Sequence, residues 1–222
     1  MRSIFLIIPS LLLLSMDKPK PTEHIKRGAD HVSDAATVSL KYGGIMHSPD
    51  ADVNVGIAVE IDTSIGIRYE VKYTLGLTSH IALFYKFSNP HQIIHYNYLT
   101  HKTRVIKTGT SAKEEDLSVV GTDMIKNYSC THLHHENENE TQDYWMSHSV
   151  PGIAQIARVL HNIDPSLKMM AIDETLFKWG GLVQLEMKSV MNKGQVATFN
   201  LYLSTAQVGI PINLADFDPP SK

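Results

Sequence analysis

The stretch CTHLHHENENETQDYW, Cys130 to Trp145, sets three histidines and three glutamates within nine residues. Imidazole nitrogens and carboxylate oxygens are the donors of zinc and copper sites. On a strand, residues two apart share a face at ~6–7 Å, close enough for joint ligation. His132 and His134 meet that condition, and His148, at the end of a predicted strand from Asp143, is the third ligand within reach. The competing reading is a hairpin tip: HENENETQ has no apolar residue and lies between two strand-like runs, as solvated turn residues do. The expectation is the hairpin, with no metal and no cofactor. His132, His134 and His148 are its metal-binding alternative.

Other chemistry is thin. The chain contains no G-x-S-x-G, H-E-x-x-H, G-x-x-x-x-G-K or C-x-x-C, so no catalytic residue is assigned and no enzyme is expected. Cys130 is the single cysteine, which excludes an intramolecular disulfide. With no cationic neighbour to lower its pKa, it reads as a small buried apolar residue.

The elements that would position these residues are mostly strands. IRYEVKY puts Ile67, Tyr69, Val71 and Tyr73 on one face and Arg68, Glu70 and Lys72 on the other, the alternation of a strand with one dry face. VNVGIAVEID does the same from Val53 to Ile61. Further strands are predicted over His80 to Phe87, Gln92 to Leu99, Thr103 to Lys107, Tyr128 to His134, Gly181 to Met191 and Val196 to Thr205. Their short connections predict antiparallel meanders. Behind Pro151, the helical spacing of Ile153, Ile156, Ala157 and Leu160 predicts a helix over the sheet, followed by a second over Ser166 to Lys178. The fold class that follows is mainly β with helices, α+β.

Composition bounds the rest. With 43% apolar residues, 19% charged residues and a net charge of −3 without a basic cluster, the 222-residue chain reads as globular and not as a nucleic-acid binder. Arg2 precedes an apolar run from Ile4 to Leu14. That run is shorter than the roughly 20 residues of a membrane span and fits a secretory signal. Residues 1–16 are therefore expected to be a signal peptide, 17–36 a polar linker and 37–222 one domain.

Within GTDMIKNYSCTHLHHENENETQDYWMSHSVPG the chain resembles a G-T-x-x-I-x-x-Y-x-C … D/E-x-W-x-S/T … I-P-G pattern of bacterial exported domains of unknown function. The matching positions are Gly121, Thr122, Ile125, Tyr128, Cys130, Trp145, Ser147, Pro151 and Gly152. Phe217 and Pro219 near the end look like that family's closing strand, and IRYEVKY like its Arg-bearing strand. The family is similar to the lipoprotein-localisation carriers and receptors of the bacterial envelope. That resemblance implies a curved antiparallel sheet or half-barrel, covered by one or two helices over an apolar cavity. It also implies a non-enzymatic periplasmic or envelope protein, with a lipid or other apolar small molecule as partner and peripheral contact with the membrane. An incompletely closed barrel suits such cargo. A partner-binding module with a solid core and no cavity is the further alternative, beside the metal-binding one. Tyr69, Val71, Tyr73, Tyr96, Tyr98 and Met187 are the expected cavity lining, with Ile156 and Leu160 from the helix.

Overall fold

The structure, a computed structural model, describes residues 37–75, 77–107, 116–159, 174–191 and 194–220. The expected leader and linker, Leu160 and most of the second expected helix lie outside them. Eleven strands form one antiparallel sheet: β1 Thr37–His47, β2 Asp52–Asp62, β3 Gly66–Leu75, β4 Leu77–Lys86, β5 Gln92–Asn97, β6 Lys102–Lys107, β7 Ser118–Ile125, β8 Tyr128–Asn137, β9 Glu140–Ser147, β10 Gly181–Val190 and β11 Val196–Val208. Their spatial order is β6-β5-β4-β3-β2-β1-β11-β10-β9-β8-β7. The strands consecutive in sequence, β6 and β7, are therefore the two opposite edges.

That topology bends the sheet. Eleven strands laid flat would be about 48 Å across, whereas the chain between Lys107 and Ser118 reaches at most about 40 Å fully extended. The two wings are drawn round toward each other, and their apolar faces meet in one core. Leu40, Val59, Tyr69 and Leu83 lie in register across β1 to β4. Leu133, Tyr144, Leu185 and Leu201 do so across β8 to β11. Both sets pack in the same hydrophobic cluster. The inner face of the half-barrel is dry, and the alternate residues form the outer face.

The α+β expectation is overturned: the described chain is nearly all strand. α1, Ile153–Val159, has only seven residues, and Glu174–Phe177 is a single turn. In α1 the side chains of Ile153, Ile156 and Val159 are buried, whereas Ala157, also placed on the helix's apolar spacing, is exposed. The physical reason is coverage. The wings bury one another's apolar faces, and so little of the core is left for a helix to cover.

Gly152 sets the entry to α1. Its φ of +89° is one that L side chains rarely adopt, and a Cβ there would overlap the Val38 Cγ1 methyl of β1. Gly152→Ala combines backbone strain with overpacking. It is expected to cost about 2–4 kcal/mol of stability in urea unfolding followed by circular dichroism. A change below about 0.5 kcal/mol would contradict the packing of α1 on β1.

Candidate functional site

Period two decides which side chains can act together. Tyr69, Val71 and Tyr73 of β3, Met187 of β10 and Ile156 of α1 all belong to the inner cluster. Tyr96 and Tyr98 do not join them. In the β4–β5 register Leu83 faces His95 and Tyr85 faces Ile93, so Ile93, His95 and Asn97 share the inner face. Tyr96 and Tyr98 point outward, into a small separate cluster with Ala82, Phe84 and Ile94.

Like Asn97 and Gln142, His95 is a buried polar residue inside. It is 5% exposed, and its Nε2 has no hydrogen-bond partner. Burial, helped by the nearby Arg104 guanidinium, holds its pKa below the ordinary histidine value. The ring is thus neutral at pH 7 and carries an unsatisfied buried nitrogen, which costs roughly 1–3 kcal/mol. The inner tyrosines are different. Tyr42 Oη donates to the Leu182 carbonyl at 3.2 Å, and burial raises the pKa of both Tyr42 and Tyr69.

On the outer face of β2 to β5 lies a carboxylate–guanidinium network. Arg68 bonds Glu70 through Nε at 3.1 Å and through Nη2, and reaches Glu60 Oε2 with Nη1 at 3.2 Å. Tyr98 Oη donates to Glu70 at 3.0 Å and its ring stacks on His80, centroids 3.8 Å apart. Burial alone would raise the pKa of Glu70, but the Arg68 guanidinium and the Tyr98 hydroxyl outweigh it and hold the carboxyl below its ordinary value. For Glu60 burial prevails over Arg68, and its pKa is raised. Tyr98 thus works as a strut for a buried acid.

The histidine-rich hairpin carries the second outer network. His132 and His134 share a face as the spacing predicts, but the third group is Asp143, opposite His134 in the β8–β9 register. Its Oδ1 lies 2.9 Å from His132 Nε2 and 2.8 Å from His134 Nδ1. His132 stacks on Trp145 at 4.4 Å between centroids, and Trp145 Nε1 donates to Asp123 Oδ2 at 2.8 Å. His148 is not brought in: β9 ends at Ser147, and His148 is exposed in the turn beyond. Among the described residues no three His, Cys, Asp or Glu side chains are grouped to hold a metal ion. Cys130 is buried, and burial raises its thiol pKa.

Residues 85–171, less than half of the chain, match the family model described as Domain of unknown function (DUF4412). The match includes the pattern positions from Gly121 to Gly152 and excludes IRYEVKY and Phe217–Pro219. No curated protein matches the sequence. Among solved structures, similarity extends to an outer membrane lipoprotein-sorting protein domain from Vibrio parahaemolyticus, at 9% identity and TM-score 0.35 over 83% of this chain and 89% of that one. A LolA superfamily protein from Nitrosomonas europaea aligns at 9% identity and TM-score 0.30, over 77% of this chain and 85% of that one. The MucA/MucB complex of Pseudomonas aeruginosa aligns at 9% identity and TM-score 0.41, over 82% of this chain and 55% of that one. The half-barrel described above stands on its own strand order and buried face.

The outer histidine network has a pH signature. The hydrogen bond to Asp143 raises the pKa of His134. Burial would raise that of Asp143, but the bonds from His134 and His132 lower it. A raised histidine stabilises fully below about pH 6.5 and loses that contribution as pH rises through its folded pKa. A lowered aspartate stabilises above about pH 4 and loses its contribution as pH falls through its folded pKa. Asp143→Asn is therefore expected to destabilise most between about pH 4 and 6.5. It should also return the His134 titration, read by NMR, toward the ordinary histidine value. An unmoved His134 titration would contradict the pairing.

Proposed function

We propose that this chain is an exported, non-enzymatic envelope protein that holds a lipid or another apolar molecule against the inner face of its half-barrel. The observation that carries the reading is the largely apolar inner face of an open sheet, on which one buried imidazole, that of His95, has an unpartnered nitrogen. A closed barrel can widen only by breaking ladder hydrogen bonds. An open sheet can part at its two free edges, β6 and β7, and leave every ladder intact. An apolar chain entering there meets Tyr69, Val71 and Tyr73. A single polar group on it would satisfy His95, which otherwise pays an uncompensated desolvation cost. Export is supported by Arg2 and the apolar run behind it. A lipid cargo fits that compartment, and the same reading implies peripheral contact with the envelope membrane.

Native mass spectrometry of the gently purified full chain is expected to show a retained lipid mass, or one-to-one uptake of added lysophospholipid. His95→Leu removes the unsatisfied nitrogen. It should raise the stability of lipid-free protein by about 1 kcal/mol while weakening lipid retention. A protein that neither retains nor takes up any lipid would sink the proposal.

A further inference from the structure

The β7–β8 turn builds a pocket against β10 and β11, beside Gln184, Asn200 and Tyr202 of the outer face. It is lined by Met124, Ile125, Lys126, Gln184, Asn200, Leu201 and Tyr202, and encloses about 470 Å³, a volume in the range of small-molecule sites. Gln184 pairs with Tyr202 across β10 and β11, and Trp145 pairs with Gln184. The pocket therefore belongs to the row of the outer face that carries His132 and Trp145.

Lys126 is its one charged lining residue, and the chain places it at a conformational cost. It stands first in the two-residue connection between β7 and β8, with φ 54°, where glycine would be free of strain. The side chain is then fixed in place. Nζ donates to the Leu203 carbonyl at 2.9 Å and sits 4.7 Å from the centroid of the Tyr202 ring, a cation–π geometry. An ammonium has three donors, and one carbonyl leaves the others for a ligand. Beside it, large apolar groups are left bare: Met124 is 67% exposed and Tyr202 47%. Neither Asp123, which accepts from Trp145 Nε1, nor Glu186, which accepts from Gln184 Nε2 at 2.8 Å, is among the lining residues.

A strained, immobilised cation beside exposed thioether and phenol surface has one complementary chemistry, and we infer that this pocket binds an amphiphilic anion. Lys126 would take the negatively charged head, and Met124 and Tyr202 would cover the adjoining apolar body. The head could belong to a free amphiphile or to a lipid in a bilayer.

Calorimetry on the full chain with decanoate and with decyltrimethylammonium tests the sign. Decanoate is expected to bind at one site and the cation not to bind there. Lys126→Gly relieves the turn and keeps the fold, yet should weaken decanoate at least about tenfold. Lys126→Arg should retain binding within about threefold. Co-sedimentation with phosphatidylglycerol vesicles identifies the source. Vesicle binding that Lys126→Gly abolishes, with no decanoate binding, supports the site with a bilayer lipid as its ligand. Decanoate affinity unchanged in Lys126→Gly, equal affinity for the cation, or binding of neither decanoate nor vesicles would overturn the inference. Lys126 is on the outer face, so the Lys126→Gly protein should still retain lipid on the inner face. Failure of either reading thus leaves the other standing.

Discussion

The pairing of β1 with β11 is the constraint on which the rest of the structure depends. Every other ladder joins strands adjacent in sequence or separated only by α1 and its flanking chain. The sheet is thus two meanders, β1 to β6 and β7 to β11, sewn along one seam. The seam is held by more than its backbone ladder. Thr37 Oγ1 donates to the Ile210 carbonyl at 2.6 Å, Ser204 Oγ to the Lys41 carbonyl at 2.8 Å, and Tyr42 reaches past β11 to β10. Each bond closes a loop of well over a hundred residues, so the seam is the least local contact in the sheet and carries its largest loop-closure cost.

A bulge in the seam keeps the two faces distinct. Between Lys41 and Tyr42 the register with β11 shifts by one residue. Without that shift, the period-two alternation of β11 would run out of phase with β1 on one side of the bulge, and half of the shared core would turn to solvent. With it, Leu40 meets Ala206 and Tyr42 meets Leu203, and both pairs serve the inner face. The outer face can then differ from the inner one. It is polar along the Glu60–Arg68–Glu70 row of β2 and β3, and aromatic and amide-bearing along the His132–Trp145–Gln184–Tyr202 row. Phe217 is buried where the 3-10 turn Leu214–Phe217 packs on β3 and β4, and Lys86 pairs with Asp218 at 2.6 Å.

Most strands were legible because alternation is local, and IRYEVKY needs no partner to be recognised. The central strand was not. Thr37–His47 holds Gly43 and Gly44 in its middle, which lowers its strand signal. Both glycines answer to the seam: a Cβ at Gly44 would overlap the Asn200 carbonyl, and Gly43 lies under the Tyr202 ring. Close approach is a tertiary fact and leaves no periodicity. The helical share of the described chain was over-weighted for the converse reason. Helical spacing behind Pro151 is a local signal, while the mutual burial of two wings is not. Tyr96 and Tyr98 read as lining because aromatic residues look like core, but only the register with β4 shows that His95 occupies the inner face. Among the outer groups, His132 and His134 were legible as a pair. Asp143 was not, because its place beside them depends on the β8–β9 register. Lys126 looks like any turn lysine until its φ and its contact with Tyr202 are known.

Among the described residues the sheet ends in two edges with no further strand paired to them, and each carries its own protection. β6 carries Lys102 and Arg104, charges that discourage edge-to-edge pairing. β7 is apolar, with Val119 and Val120 exposed, but its register with β8 shifts between Val119 and Gly121. That bulge twists the strand away from a straight template. The turn that follows holds Lys126 over β11, so the apolar edge is tied to the outer face and does not hang free. Guarding the edges keeps them unpaired, and the guest proposed for the inner face needs such edges to enter. Protection from edge-to-edge pairing is thus compatible with that proposal, and both depend on β6 and β7 lying at the two ends of one open sheet.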